Sequence, residues 1–349
     1  MSTRRIFRHD ARRNFLKTAA LGSAVLAAPA VLRAQEVPIR FTLDWRFEGP
    51  AAPYLLALEK GYFKAEKLNV TIDSGAGSPA AIQRVATGGY DMGFGDFSSL
   101  TEFYANNPGL PGPAGVYVVY ERSPATVFAL KGKGIAKPAD LNGKKLGAPV
   151  FDGGRKAFPI FAQANGIDHT KIQWTSMEPA LRETMLVRGE VDAVTGFLFS
   201  GLLSLIARGA KEEDIVVMQY KDFGVNLYGS TILASSEMIT KRPDAVSGFV
   251  RAFNRALKET IAKPEEAIGF VKKRDPLVNE QLELRRLKLC LDNFVSTPTA
   301  KAGGLGSLDR GRLAETTKLV VSSFNLKNQV DPALLFNPIF LPPAADRKI

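Results

Sequence analysis

The sequence predicts an α/β protein of two similar lobes followed by a C-terminal helical tract. Three observations predict it. From residue 39 the chain alternates short β-like runs with helical ones, the pattern of βαβ units on a parallel sheet. One eight-residue segment, Gly88-Gly89-Tyr90-Asp91-Met92-Gly93-Phe94-Gly95, recurs 101 residues later as Gly189-Glu190-Val191-Asp192-Ala193-Val194-Thr195-Gly196. A length of 349 residues suits two domains, since roughly 150 residues is a common domain size.

In the first lobe, 39–43 reads as a strand. Gly49-Pro50 then opens a helix carrying Tyr54, Leu55, Leu58 and Tyr62 at helical spacing, with Gly61 as its stop signal. Residues 70–73 form a second strand, 79–87 a second helix, and 92–95 a short strand leading into a helix from Phe97. The runs 116–120 and 127–130 continue the same sheet. The second lobe repeats this order, with strands at 145–148, 172–175 and 191–195 and helices at 155–165, 180–187 and 199–207. In both copies of the repeated segment a glycine closes the preceding helix in the left-handed conformation, and an acid opens the strand at a solvated edge. After a strand at 231–234 the chain turns helical, over 243–261, 264–274 and 279–294, and ends in a tail containing Pro332, Pro338, Pro342 and Pro343. Val246, Phe249, Val250, Phe253, Leu257 and Ile261 share one apolar face. A tract without strands must pack on an existing lobe. Lobe one is therefore expected to comprise 36–128 and 229–345, lobe two 129–228, with crossings near 126–132 and 226–232 as the hinge.

The composition is that of a globular protein: 45% hydrophobic, 23% charged, mean hydropathy −0.04. The net charge of +11 suggests a nucleic-acid or anionic-membrane partner until it is located. Arg4, Arg5, Arg8, Arg12, Arg13, Lys17 and Arg33 stand against one acid, Asp10, so the first 35 residues carry +6 and the rest only +5. No nucleic-acid partner is expected. Residues 1–34 read as an export signal: a basic stretch, an uncharged run over 18–32, then small residues before Gln35. That run is too short for a membrane span, which needs about 20 apolar residues. Arg12-Arg13-Asn14-Phe15-Leu16-Lys17 resembles the bacterial twin-arginine signal, with Ala11 where Ser or Thr is usual. Cleavage is expected after Ala34, or alternatively after Ala30, giving a soluble, monomeric periplasmic protein of a Gram-negative cell with no direct membrane insertion. The single cysteine, Cys290, lies among Leu287, Leu289 and Leu291 and reads as core.

Ligands of open α/β sheets bind beyond the carboxyl ends of the strands. That rule nominates six loops: Asp44-Trp45-Arg46-Phe47-Glu48, Gly75-Ala76-Gly77-Ser78 and Asp96-Phe97-Ser98-Ser99 in lobe one, then Phe151-Asp152-Gly153-Gly154-Arg155, Ser176-Met177-Glu178 and Gly196-Phe197-Leu198-Phe199 in lobe two. The hinge adds Tyr120, Glu121 and Tyr228. Aromatic residues beside acids suit a flat ring stacked on side chains, its amines donating to carboxylates. Arg46 and Arg155 suit a carboxylate or sulfonate instead. Gly75-Ala76-Gly77-Ser78-Pro79-Ala80 satisfies the GxGxxA dinucleotide pattern, but it closes the second strand rather than the first and reads as a tight turn. His169 is the one histidine outside the leader and lies in a polar turn. No Cys/His cluster suits a metal, no cofactor is expected, no GxSxG elbow is present, and no pair of carboxylates is singled out for acid/base work.

FTLDWRFEGPAAPYLLALEKGYFKAEKLNVTI, GAGSPAAIQRVATGGYDMGFGD, KPADLNGKKLGAPVFDGG and ALRETMLVRGEVDA together resemble the periplasmic substrate-binding proteins of ABC importers, in the SsuA/THI5-like (NMT1) group. The resemblance spans about 38–260. It implies a type II Venus-flytrap fold that closes on a small-molecule solute and delivers it to a membrane permease. It also implies that Asp44 and Trp45 occupy the first ligand loop and Gly75 to Ser78 the second. Eukaryotic enzymes of the group make a pyrimidine from pyridoxal phosphate and a histidine of their own, and carry a Cys-rich motif absent here. A non-catalytic receptor is therefore expected, binding a nitrogenous ring such as a thiamine-pyrimidine precursor. The alternatives are an alkanesulfonate, taurine, nitrate or aromatic carboxylate, or an exported enzyme related to the pyrimidine synthases. The expected ligand-binding residues are Asp44, Trp45, Phe47, Gly75, Gly77, Ser78, Asp96, Phe97, Ser98, Tyr120, Phe151, Asp152, Arg155, Phe197 and Tyr228.

Overall fold

The computed structural model describes residues 36–349; the export signal expected at 1–34 lies outside the described residues. Ten strands follow in chain order: β1 (Val37–Thr42), β2 (Leu68–Asp73), β3 (Met92–Asp96), β4 (Ala114–Val118), β5 (Ala125–Leu130), β6 (Lys145–Ala148), β7 (Gln173–Ser176), β8 (Ala193–Phe197), β9 (Ile215–Gln219) and β10 (Ser230–Ala234). They form two sheets of the same arrangement, β2-β1-β3-β10-β4 and β7-β6-β8-β5-β9. In each, the fourth strand arrives from the other pass of the chain and runs antiparallel to both neighbours. The sheets are mixed rather than parallel as the alternating pattern implies.

Burial explains the strand sequences. Edge strand β2 alternates buried and exposed residues along Leu68-Asn69-Val70-Thr71-Ile72-Asp73, whereas central β3 is buried throughout. The repeated segment maps onto β3 and β8, and Gly88 (φ +76°) and Gly189 (φ +72°) end the preceding helices in the left-handed region. The two acids do more than open strands. Asp91 accepts from the Arg40 backbone N–H at 2.7 Å and Asp192 from that of Lys145 at 2.8 Å, so each carboxylate clips its strand to the neighbour.

The chain leaves the first sheet after Val118 and has entered the second by Ala125, so the boundary expected at 128 falls inside a strand of the second sheet. Two β-rich runs stand close together here, and only the six residues 119–124 separate the two strands. The chain returns between Gln219 and Ser230.

In the C-terminal tract, helix Pro243–Ala262 buries Val246, Phe249, Val250, Phe253 and Leu257. It packs on helix Ala52–Glu59, with Tyr54 and Phe253 ring centroids 4.5 Å apart. The tract is not confined to the first lobe as expected. Helix Glu280–Cys290 lies against helix Leu198–Ala207 of the second lobe, and helix Arg310–Ser323 touches both Phe97–Asn106 and Gly153–Ala164. The tail covers the open edge of β4, where Gly115 N donates to Leu335 O at 2.9 Å and Asn337 N donates to Gly115 O at 2.8 Å. Among the described residues no helix is long and apolar enough to cross a membrane.

Candidate binding site between the lobes

The loop after β1 is folded back by its neighbour: Gly75 N donates to Trp45 O at 3.0 Å and Gly77 N to Asp44 O at 2.7 Å. These bonds place the Asp44 and Trp45 side chains between the two sheets. They line a concave cavity between the two sheets, walled by side chains of both lobes. Its apolar wall is a run of rings in mutual contact. Tyr54 and Phe94 centroids are 5.8 Å apart, Phe94 and Tyr120 5.2 Å, Tyr120 and Phe199 5.6 Å, and Phe199 and Phe197 6.1 Å.

The polar groups fall into three sets. Asp44 is buried and accepts from Ser78 Oγ at 2.9 Å. Burial pushes its carboxyl up to about 7; the Ser78 bond opposes this and the nearby Asp96 and Asp152 add to it. Glu48 accepts from Ser200 Oγ at 2.6 Å and Arg46 Nη2 at 2.8 Å. Burial disfavours its charge, but the guanidinium groups of Arg286 and Arg46 outweigh that and hold the carboxyl below its ordinary value. Arg182, 1% exposed, donates to Asp152 Oδ2 at 3.1 Å and to Glu183 Oε1 at 2.7 and 2.9 Å, with its Cζ 4.8 Å from the centre of the Trp45 ring. Among the described residues, Trp45 Nε1, Tyr54 Oη and Arg46 Nε are buried without a hydrogen-bond partner. Such groups cost about 1–3 kcal/mol each unless something satisfies them. All three belong to residues lining the cavity, so the wall offers donors to an acceptor-bearing molecule and carboxylates to a donor-bearing one.

Of the expected residues, Asp44, Trp45, Gly77, Ser78, Tyr120, Asp152 and Phe197 line the cavity. The other eight stand elsewhere. Phe47 packs under the Arg274 guanidinium, 4.6 Å from its ring centre. Gly75 serves the loop turn described above. Asp96 caps helix Phe97–Asn106 through Ser99 N at 2.8 Å, and the first turn of that helix carries Phe97 and Ser98 into the interior. Phe151 is 49% exposed. Arg155 points outward, donating to Ala148 O and Ser176 Oγ with its guanidinium over Trp174. Tyr228 donates nothing to the cavity; its hydroxyl accepts from Asp309 N at 2.8 Å beneath Arg312. Glu48 and Phe199, counted above among the cleft-loop acids and aromatics, do line the cavity. Tyr54 reads from sequence as a core position of its helix, and Arg182 and Ser200 carry no signal that singles them out. His169 lies in a turn of the second lobe and Cys290 is buried in the core.

Gly77 brings the lobes together. Its φ is +136°, and a Cβ there would lie 1.6 Å from Phe151 O. Gly77→Ala is expected to hold the lobes apart: small-angle scattering should give a larger radius of gyration than wild type, with the far-ultraviolet circular dichroism unchanged.

The sequence profile of the family described as NMT1/THI5 like matches residues 50–267, more than half of the chain. The chain belongs to that family. It is 29% identical over 297 residues to the riboflavin-binding protein RibY of Chloroflexus aurantiacus, covering 83% of this chain and 82% of RibY. It is 23% identical over 293 residues to the 4-amino-5-hydroxymethyl-2-methylpyrimidine phosphate synthase of Legionella pneumophila, covering 82% of this chain and 89% of that enzyme. Among solved structures, the alkanesulfonate-binding protein SsuA from Xanthomonas axonopodis pv. citri, bound to MOPS, is similar with a TM-score of 0.68 at 15% identity, over 87% of this chain and 99% of SsuA. The NMT1/THI5 like chain thus has the two-lobed α/β fold of the SsuA-type periplasmic binding proteins.

Proposed function

We propose that this chain is the exported solute-binding component of an ABC importer. It captures a nitrogenous aromatic ring compound between its lobes and delivers it to a permease in the inner membrane. The observation that carries the reading is the buried Asp44 carboxyl set in a wall of aromatic rings beside unpartnered Trp45 Nε1 and Tyr54 Oη. A flat heterocycle presents both ring amines for Asp44 and ring nitrogens or carbonyl oxygens for the two donors. Two relatives, the riboflavin-binding protein RibY and the pyrimidine phosphate synthase, are named for compounds of this class. A thiamine-pyrimidine precursor and a flavin are the two probes that follow.

An anionic solute is less well served. Arg182 is matched by two carboxylates and Arg46 by Glu48, while Arg155 faces away. A synthase of the eukaryotic kind is less well served too, because those enzymes consume a histidine of their own and His169 is not among the residues lining the cavity. The export route is proposed from Arg12 and Arg13; Arg12→Lys with Arg13→Lys should leave the precursor in the cytoplasm, read by fractionation.

The deciding experiment is a thermal-shift screen of the mature protein against riboflavin, hydroxymethylpyrimidine, an alkanesulfonate, taurine, an aromatic carboxylate and nitrate. A ring compound at 100 times its Kd should add about 2.7 kcal/mol of stability, seen as a rise in Tm. The same rise is expected in Arg155→Ala. Stabilisation by the anions alone, loss of the shift in Arg155→Ala, or turnover of the bound compound would each overturn the reading.

A further inference from the structure

We propose that Arg286 is a positioning residue that couples lobe closure to the solute cavity, making the C-terminal tract a working part of the binding device. The proposal rests on the solute-receptor reading above. Arg286 is 2% exposed and stands behind the cavity wall rather than in it. Its Nε donates to the Glu283 carboxylate at 3.0 and 3.2 Å. Its Nη1 donates to the backbone carbonyls of Phe199 at 2.9 Å and Ser200 at 2.7 Å, and stands 3.3 Å from Glu48 Oε2. Glu48, Phe199 and Ser200 all line the cavity, and Ser200 Oγ donates to Glu48 across it.

Helix Glu280–Cys290 touches both lobes, but its packing on helix Pro264–Arg274, which itself lies on helix Ala52–Glu59, ties this arginine to lobe one. Glu283 Oε2 accepts from Gly49 N at 2.6 Å, and a Cβ on Gly49 would fall 2.3 Å from Glu283 O. Helix Glu280–Cys290 is therefore pressed against the loop that follows β1, in lobe one. Phe199 and Ser200 begin helix Leu198–Ala207, which packs on the second sheet. Parting the lobes separates Arg286 from both carbonyls and Ser200 from Glu48 in one movement. Closing restores these charge-assisted bonds and completes the wall at Glu48. A solute bound to that wall and the arginine behind it thus favour the same closed arrangement, which is how a ligand shifts a two-state equilibrium.

The tract also holds the hinge. Arg312 pairs with the Glu121 carboxylate, and its Nη2 donates to Glu121 O at 3.2 Å, Asn226 Oδ1 at 3.1 Å and Leu227 O at 3.4 Å. One guanidinium thereby joins the two segments on which the chain crosses between sheets. The tract pins the crossings at Arg312 and latches the cleft at Arg286.

The test uses the mature protein with fluorophores on cysteines introduced at Lys64 and Lys133, both exposed and in different lobes. Energy transfer reads the closed fraction without solute, and stopped-flow quenching of riboflavin reads kon and koff. Arg286→Gln should lower the closed fraction and raise koff about tenfold or more, with kon within about twofold of wild type. Arg286→Lys should fall between, since an ammonium can reach Glu48 but cannot also span Glu283 and two carbonyls. Ser200→Ala, which leaves the tract untouched, should shift koff in the same direction with a near-native Tm. Unchanged closed fraction and koff in Arg286→Lys and Ser200→Ala would overturn the proposal even if Arg286→Gln fails to fold. If no probe binds wild type, the solute reading fails, and the energy-transfer comparison alone decides the latch.

Discussion

Replacing Arg182 by methionine is expected to lower Tm by about 10 °C, corresponding to roughly 3–5 kcal/mol for removing one partner of a buried ionic cluster. The geometry sets this size. Arg182 is 1% exposed, and its donors satisfy Asp152 from one side and Glu183 from the other. Glu183 is fully buried and its Oε2 has no partner among the described residues. Methionine fills much of the volume but leaves two carboxylates in a water-poor interior with no cation between them. Trp45 also loses the guanidinium that stacks on it from the opposite lobe. Solute affinity should therefore fall together with stability. Arg182→Lys keeps the charge but not the fork, so it should recover part of the loss. Differential scanning calorimetry of the three proteins decides it. A shift in Arg182→Met of under about 1 °C, the scale of an ordinary surface substitution, would refute the account.

What the sequence discloses here follows from how each feature is encoded. The doubled architecture is legible because it is written twice, at Gly88 and Gly189, and because backbone glycines and clipping acids leave little freedom of residue type. The cleft rule finds Asp44, Gly77, Ser78 and Asp152 because strand ends and helix starts are local features. It also nominates Phe97 and Tyr228, since nothing local says whether a ring after a strand faces the cleft or the core. Here Phe97 and Tyr228 pack on each other, 5.8 Å between centroids. Arg182 is opaque for the opposite reason. A lone arginine in an amphipathic stretch reads as solvent-facing, and only the tertiary approach of Asp152 and Trp45 makes it buried. Helix Arg310–Ser323 is hidden likewise, because buried Thr316 and Thr317 interrupt its apolar stripe. The expected crossing at 126–132 fails because strand propensity does not state which sheet a strand joins. That is decided by pairing with β8 and β9, far away in sequence.

Asp44→Asn is expected to separate binding from stability. In the folded protein burial lifts the Asp44 carboxyl to about 7, whereas in the unfolded chain it titrates near 3.8. Between those values the native state holds a proton the unfolded state has lost, so stability is greatest in acid and falls as pH rises toward 7. Asparagine carries no such charge and can still accept from Ser78. The stability of the variant should vary less over that window and exceed that of wild type at pH 8 by up to about 4 kcal/mol. Binding moves the other way. A ring amine needs the ionised carboxylate, so wild-type affinity should weaken as pH falls below about 7. The variant should bind such a ring more weakly by about 1.5–3 kcal/mol at pH 8, the value of a hydrogen bond to a charged group, and with little dependence on pH. Chemical denaturation and solute titration from pH 5 to pH 8 (about one unit beyond the raised carboxyl) measure both. A variant that is destabilised at pH 8, or that binds the ring as wild type does, would show that Asp44 holds the loop after β1 in place rather than meeting solute. If instead stability rises while affinity falls, the strain of a buried, unpaired carboxylate is retained for the solute that satisfies it.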